Sequence, residues 1–267
     1  MNILQRVEDM LDRLPSADDD SRKRKQSDDP QIESPPTKKR KLENGSAASS
    51  NNEAVKLKPP SLLEFAYLMG NLKKTERTGW LRRGIHKPES IADHMYRMGI
   101  LSWIFGEQFG KYSKEHVDLD KDKMIKMAIV HDIIESVCGD IVPGTISKDS
   151  KHDIELKAMI KIRDEYLKKS AVGQEMYDLW MEYEGQETVE SHIVKDLDKL
   201  DMIIQAEEYE MEPKNNNVDL EEFFKGTRGV FKTEVGKAVD KELMEQRQRR
   251  LLLKSQREDG DSNTGNK

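Results

Sequence analysis

Residues 126–141, KMAIVHDIIESVCGDI, place ionisable side chains inside a helical apolar pattern. His131 falls among the apolar positions, Glu135 lies one turn further on, and Asp132 sits at the margin. We therefore expect an amphipathic helix over 120–137 that carries a histidine on its buried side. The apolar stripe of this helix is formed by Met124, Met127, Ala128 and Ile134.

From residue 60 onward the apolar positions recur with a helical period, and strand-like alternation is nearly absent. Ser90, with Asp93 three residues later, is typical of a helix N-terminus. The sequence therefore predicts an all-α fold, irregular rather than an up-and-down bundle, because helix and loop lengths are uneven. Helices are expected over 62–69, 90–109, 120–137, 149–169, 176–183 and 188–210, and in two pieces within 219–254.

The chain divides into three parts by composition. Residues 1–58 are rich in Ser, Asp, Pro, Asn, Lys and Arg, which predicts a mostly disordered tail with a short amphipathic helix at 3–14. Residues 59–235 should form the folded domain, and 236–267 a C-terminal helix that frays from 255. The tail contains basic clusters at 22–25 and 38–41. These match a bipartite nuclear import signal, or else form a solvated basic patch, so we expect the cytoplasm, the nucleus or both.

Charge and cysteine content exclude several classes of function. The chain has a net charge of −6, and residues 1–60 carry 12 Lys/Arg and 11 Asp/Glu, so the remainder is acidic. An acidic body argues against binding to a nucleic acid polymer. No apolar run of 18 residues is present, so a membrane span is not expected. Cys138 is the single cysteine, which rules out an internal disulfide or a cysteine zinc site and predicts a buried, unreactive thiol.

Two further predicted helices also carry ionisable residues beside their apolar faces. His94 shares the apolar face of the 90–109 helix, and Asp198 and Asp201 flank the apolar face of the 188–210 helix. Each residue alone is more typical of a hydrogen-bonded core histidine or a surface carboxylate. Burying His94, the His131–Asp132 pair and Asp198 together would cost several kcal/mol unless they are partnered. One divalent cation would partner all four, and the mixed nitrogen and oxygen set suits Mn, Fe, Co, Ni or Zn.

The order of these residues resembles the HD-domain phosphohydrolase superfamily, whose signature is a histidine, a His-Asp doublet and a distant aspartate. The match covers about residues 60–210 and is closest to the 5′-deoxynucleotidase branch. Besides the four signature positions, Glu135 and the run Gly139-Asp140-Ile141 carry the likeness, together with Gly79-Trp80 and the segment 196–199.

The resemblance implies a metal-dependent phosphomonoesterase that converts deoxynucleoside 5′-monophosphates to deoxynucleosides and phosphate. It implies a principal divalent cation such as Mn or Co, with Mg as a candidate at a second site. Glu135 or Asp140 would move a proton or orient the attacking water. The resemblance assigns the principal cation to His94, His131, Asp132 and Asp198, and a second cation or water to Glu135, Asp140 and the backbone carbonyl of Ile141.

Substrate recognition is also implied by the resemblance. Trp80 matches the ring that presses on the sugar and rejects a ribose 2′-hydroxyl, although a core aromatic is the alternative. The bacterial branch has an arginine just before this tryptophan to grip the phosphate, whereas this chain has Gly79. The residues that could replace it are Arg77, Arg82 and Arg83.

The resemblance implies a homodimer as well, and residues 219–254 could pair with a second copy, because Phe223, Phe224, Val230 and Phe231 are too apolar for a free tail. Two other functions stay open. One is an HD phosphodiesterase or nucleoside polyphosphate hydrolase, which would share the metal ligands. The other is a non-catalytic helical interaction protein that binds through its basic tail.

Overall fold

The computed structural model describes residues 55–112, 119–142, 144–215 and 218–262, with side chains for all of these except 108–112 and 257–262. The predictions for the short helix at 3–14, the tail and the two basic clusters lie outside the described residues. No strand occurs in the described ranges, where the only sheet-like feature is a bridge between Glu76 and Ser90. The all-α prediction is confirmed.

Ten α-helices are present in the described part of the chain. They are α1 (Pro59–Leu72), α2 (Thr78–Arg82), α3 (Ile91–Tyr112), α4 (Lys121–Val130), α5 (Glu135–Cys138), α6 (Lys148–Lys161), α7 (Ala171–Gly185), α8 (Val189–Met211), α9 (Glu221–Thr227) and α10 (Glu234–Ser262). A π-helical turn, Ile162–Tyr166, follows α6, and a 3₁₀ turn, Pro213–Asn215, follows α8. Within these described helices, none combines the length and the apolar character needed to cross a membrane.

Helix α8 forms the centre of the domain, with α3, α4, α7, α9 and α10 packed around it. It begins at a capping box in which Thr188 Oγ1 accepts from Ser191 N and Ser191 Oγ accepts from Thr188 N, each at 3.2 Å. Its apolar face is buried against these neighbours, which anchors the helix. The anchoring also fixes the positions of Asp198 and Asp201, which lie beside that face. The residues buried there include Ile193, Val194, Leu197, Leu200 and Ile203.

Helix α3 begins where the sequence predicted. Ser90 Oγ donates to Asp93 Oδ2 at 2.8 Å, and Asp93 N donates back to Ser90 Oγ at 3.2 Å. This reciprocal cap satisfies free N–H groups at the start of the helix. His94 follows within the first turn and therefore has a fixed position relative to the helix axis.

The helix predicted over 120–137 is interrupted. Helix α4 ends at Val130, residues 131–134 form turns, and α5 begins at Glu135. In the turns the backbone bonds span three residues, as from Ile133 N to Val130 O at 3.0 Å. This tighter winding turns His131, Asp132 and Glu135 toward one region, away from the regular spacing of a continuous α-helix. The predicted end at Gly139 is correct, since its φ of 73° suits glycine.

Three later elements also differ in length from the prediction. The helix expected over 149–169 leaves α-helical geometry after Lys161, and the one expected over 176–183 extends to Ala171–Gly185 because Ser170 Oγ caps Gly173 N at 3.3 Å. Helix α10 continues to Ser262, where fraying was expected from 255, and the boundary proposed between 235 and 236 falls inside this helix.

An ion cluster attaches α10 to α8 and α9. The Arg247 guanidinium is 6% exposed and pairs with Glu210 at 2.8 Å and Glu221 at 2.6 Å. It also lies 3.9 Å from the ring centroid of Phe224, which is buried in the core. The C-terminal helix is therefore integral to the folded domain.

Candidate metal centre and substrate cleft

Two imidazoles from α3 and from the end of α4 face each other in the interior. His94 Nε2 lies 3.2 Å from His131 Nε2, and both residues are buried. His131 Nδ1 donates to the carbonyl of Ala128 at 2.8 Å. His94 Nδ1 donates to Asp201 Oδ2 at 2.6 Å. Because each Nδ1 carries the proton of the neutral ring, each Nε2 presents a lone pair to the other.

Two carboxylates complete this cluster. Asp132 Oδ2 is 3.1 Å from His131 Nε2 and 3.6 Å from His94 Nε2. Asp198 Oδ1, from α8, is 3.4 Å from His94 Nε2. The structure therefore brings together all four residues that the sequence assigned to a principal cation.

The cluster fits a divalent cation because it concentrates lone pairs, and no Lys or Arg among the described residues forms an ion pair with Asp132 or Asp198. In the metal-free protein a proton on His94 balances part of the negative charge of the nearby carboxylates. Burial and Arg77 lower the pKa of His94, but Asp198 and Asp201 outweigh them and raise it to about 9. Burial would raise the pKa values of Asp132 and Asp198, yet the neighbouring histidines hold both below their usual range. Neutral imidazoles and ionised carboxylates converging on one point are the donor set of a Mn-, Co- or Zn-type site.

The sequence did not identify the residues that hold these candidate ligands. Asp201 is fully buried, and its Oδ2 atom accepts the hydrogen bond from His94 Nδ1. Its Oδ1 atom accepts a hydrogen bond from the Arg97 guanidinium. Tyr183, from α7, donates to Asp198 Oδ2 at 2.8 Å. Asp201 was recognisable as an acidic residue beside an apolar face, one turn after Asp198. No local sequence signal connects Tyr183 with this region.

Glu135 lies beside the cluster at the start of α5. It is 9% exposed, and its Oε2 atom has no hydrogen-bond partner among the described residues. Burial, with Asp132 and Asp140 nearby, raises the pKa of Glu135 well above its usual value. An unpartnered buried carboxyl group next to a cation site is suited to holding a proton or a water.

Asp140 has a structural contact that the sequence did not predict. Its Oδ2 atom accepts from the backbone N–H of Thr78 at 2.6 Å, at the N-terminus of α2, and its carbonyl oxygen accepts from Thr78 Oγ1 at 3.3 Å. Asp140 therefore fixes the segment that carries Arg77 and Trp80. The next residue, Ile141, is 7% exposed and packs in the core.

Of the three candidate arginines, the structure brings Arg77 to the cluster. Its side chain is 17% exposed, and its Nη1 atom has no hydrogen-bond partner in the described ranges. Burial lowers the pKa of Arg77, but Asp132, Asp198 and Glu89 raise it above its usual value, so the guanidinium is charged. Arg82 is exposed, and Arg83 is exposed and pairs with Glu222.

Trp80 is a core residue. It is 1% exposed, its Nε1 atom donates to Glu89 Oε1 at 2.9 Å, and its ring centroid lies 4.4 Å from that of Phe223. A Cβ added to Gly79 would come within 3.5 Å of the same phenylalanine ring. That distance is ordinary van der Waals contact, so a Cβ at position 79 would touch the Phe223 ring without a clash.

The structure also accounts for the cysteine and for the apolar C-terminal run. Cys138 is buried, and burial raises the pKa of its thiol, as expected for an unreactive side chain. Phe224 and Phe231 are buried in the core, and Phe223 covers Trp80, so this run packs within its own chain. The prediction that it pairs with a second copy loses its basis, although Val230 is 37% exposed.

This arrangement defines a class: all-α proteins in which histidines and aspartates from separate helical segments converge on a buried cation site. A sequence profile described as HD domain matches residues 69–239. A Dictyostelium discoideum protein named 5′-deoxynucleotidase HDDC2 is 45% identical over 174 residues, covering 63% of this chain and 89% of the relative. The Homo sapiens protein of that name is 40% identical over 173 residues, covering 64% and 78%.

A solved structure supports the same assignment. A conserved hypothetical protein from Pyrococcus furiosus is 34% identical, with a TM-score of 0.56, and the match covers 70% of this chain and 99% of that protein. The chain belongs to the HD domain family. The family resemblance inferred from the sequence is confirmed.

Proposed function

We propose that this protein is a metal-dependent 5′-deoxynucleotidase, a phosphoric monoester hydrolase that releases phosphate from deoxynucleoside 5′-monophosphates. The observation that carries this proposal is the pair of Nε2 atoms of His94 and His131, 3.2 Å apart, with carboxylates of Asp132 and Asp198 beside them. The proteins named 5′-deoxynucleotidase that align at 45% and 40% identity support the substrate class.

His94, His131, Asp132 and Asp198 would hold the principal cation, for which we propose Mn²⁺ or Co²⁺. When bound, this ion lowers the pKa of a coordinated water and neutralises charge on the phosphoryl oxygens. Glu135, Asp140 and the Ile141 carbonyl are kept as candidates for a second cation such as Mg²⁺. Of these, Glu135 has the free buried oxygen that such a role needs.

Arg77 is proposed to grip the phosphate in place of the arginine that would precede Trp80. Its unpartnered Nη1 atom and its burial near Asp132 and Asp198 leave a charged donor for a phosphate oxygen. Arg82 and Arg83 are exposed, and the side chain of Arg83 is paired with Glu222, which leaves them less suited to this role.

Glu135 is proposed to transfer the proton. Burial and the neighbouring Asp132 and Asp140 raise its pKa well above the usual value, which favours the protonated form that could give a proton to the departing 5′-oxygen. Asp140 is the alternative, but its carboxylate already accepts from Thr78 N. Trp80 is 1% exposed, so it offers no open ring face on which a sugar could stack. It would reject the ribose 2′-hydroxyl by fixing the shape of the sugar pocket.

The test is phosphate release from matched deoxyribo- and ribonucleoside 5′-monophosphates, with Mn²⁺, with Co²⁺ and with EDTA. We expect release from the deoxy substrate with either metal and its loss with EDTA. A phosphodiester and a deoxynucleoside triphosphate serve as parallel substrates. Turnover of either in preference to the monophosphate would instead indicate the phosphodiesterase or polyphosphate hydrolase. No turnover of any of these substrates would indicate the interaction protein.

We also propose that the protein forms a homodimer through an exposed apolar stripe on α3. Tyr96, Ile100 and Trp103 project from one side of this helix and are 73%, 41% and 57% exposed. Light scattering should give twice the chain mass for the wild type and the chain mass for Trp103→Glu. A monomeric wild type at micromolar concentration would contradict the proposal.

The basic clusters at 22–25 and 38–41 are proposed to direct part of the protein to the nucleus. A fluorescent fusion of the full chain should accumulate in the nucleus, and replacement of both clusters by alanine should distribute it evenly. Equal distribution of both fusions would favour the solvated basic patch.

A further inference from the structure

Tyr183 connects α7 to the cluster of candidate metal ligands, of which Asp198 is one, through a single hydrogen bond. Its hydroxyl donates to Asp198 Oδ2 at 2.8 Å, while Asp198 Oδ1 faces His94 Nε2 at 3.4 Å. The two carboxylate oxygens of Asp198 therefore have different surroundings. One is occupied by the tyrosine, and the other is directed at the imidazoles.

The tyrosine ring is buried and has two close neighbours, which restrict the direction of its hydroxyl. Tyr183 is 2% exposed. Lys195 Nζ lies 4.0 Å from its ring centroid, and the His131 ring lies 5.0 Å away, centroid to centroid. A buried ring in contact with both a candidate ligand and a lysine has little freedom to follow a rotating carboxylate.

We infer that Tyr183 is a positioning residue that makes Asp198 present one defined oxygen, Oδ1, to the cation. This inference rests on the proposed function, because it takes Asp198 to be a metal ligand. The physical reason is that a carboxylate with a free Oδ2 can rotate, and each rotation moves Oδ1 away from the His94 and His131 nitrogens. Hydrogen bonds to the non-coordinating atom of a ligand commonly change metal affinity by about 10- to 100-fold.

The test compares Tyr183→Phe with the wild-type full-length protein. Phenylalanine keeps the ring in contact with Lys195 and His131 and removes only the donor. The matched control is Tyr177→Phe on the same helix, whose ring lies against the Arg163 guanidinium at 4.5 Å. Three quantities are measured: the Mn²⁺ dissociation constant by calorimetry, the absorption spectrum of the Co²⁺ form, and the melting temperature in EDTA.

We expect Tyr183→Phe to weaken Mn²⁺ binding by about tenfold or more and to change the Co²⁺ spectrum, while Tyr177→Phe does neither. A lower melting temperature in EDTA with an unchanged Mn²⁺ dissociation constant would show a merely structural role and overturn the inference. So would a dissociation constant for Tyr183→Phe equal to or tighter than that of the wild type.

The wild-type arm separates this inference from the proposed function. If the wild type binds no Mn²⁺ and releases no phosphate, the proposed function fails and the inference fails with it. If the wild type binds Mn²⁺ and hydrolyses the substrate but Tyr183→Phe matches it in affinity and spectrum, only the positioning role is overturned.

Discussion

His94 and His131 point the lone pairs of their Nε2 atoms at each other across 3.2 Å, although 37 positions separate them in the chain. Without metal this contact is relieved by a proton, since Asp198 and Asp201 outweigh burial and Arg77 and raise the pKa of His94 to about 9. A cation and that proton therefore compete for the same place. The competition gives the cluster a pH dependence that can be measured.

Metal binding at pH 7 should release about one proton, because His94 is protonated below about pH 9 in the metal-free protein and must be neutral to bind. The affinity for Mn²⁺ should accordingly rise by about tenfold for each pH unit and level off near pH 9. Calorimetry in two buffers of different ionisation enthalpy measures the proton release. An affinity that is flat between pH 7 and 9 would argue against His94 as a ligand; His152→Gln is the control.

His131→Ala and Asp132→Ala should each abolish bound metal and turnover while leaving the helical content unchanged. Either variant removes a ligand atom and leaves the remaining donors unable to hold the cation. Metal analysis, phosphate release and circular dichroism measure the three properties. Loss of activity with full metal occupancy would refute the ligand roles of these two residues.

Glu135→Gln should retain the principal metal but lower kcat by about 100-fold or more, because the amide cannot give up a proton. Glu155→Gln is a matched control: this buried glutamate is 8% exposed and pairs with Lys151. Steady-state phosphate release combined with metal analysis distinguishes the two variants. A near-wild-type rate for Glu135→Gln would remove Glu135 from the mechanism.

Substitutions at Asp140 should separate a capping role from a catalytic one. Asp140→Ala removes the acceptor for Thr78 N, which should cost about 1 kcal/mol at the start of α2 and raise KM about fivefold by loosening Arg77 and Trp80. Asp140→Asn keeps an oxygen acceptor and should stay close to wild type. Equal loss of kcat in both variants would show that the negative charge takes part in the reaction.

Arg247→Met should destabilise the protein by about 2 kcal/mol, because Glu210 and Glu221 would each lose a charged hydrogen bond and keep Arg250 and Arg228 as their remaining ion partners. Denaturant unfolding of the metal-free protein measures this change. Arg249→Met is the control, since Arg249 is 64% exposed and should change stability by less than about 0.5 kcal/mol. Equal effects of the two substitutions would mean that the ion cluster adds nothing to stability.

The sequence was sufficient to predict the helical fold and four side chains that come together, because charges on apolar faces need a partner and their order resembles the HD-domain signature. It was not sufficient for contacts that depend on how distant helices meet. Tyr183 and Arg97 reach the cluster through side-chain orientations that no periodicity encodes. The turn at 131–134 was missed because His131, Asp132 and the two isoleucines that follow fit the helical pattern of 120–137, and tertiary packing overrides local preference there.

The Phe223 ring packs against Trp80, and Phe223 comes later in the chain than His94, His131, Asp132 and Asp198. During synthesis the ribosome adds Asp198 before it adds this ring. A nascent chain therefore carries all the candidate cation ligands before it carries the ring that packs against Trp80. Helices α9 and α10 therefore pack onto α8 only after every candidate ligand has been synthesised.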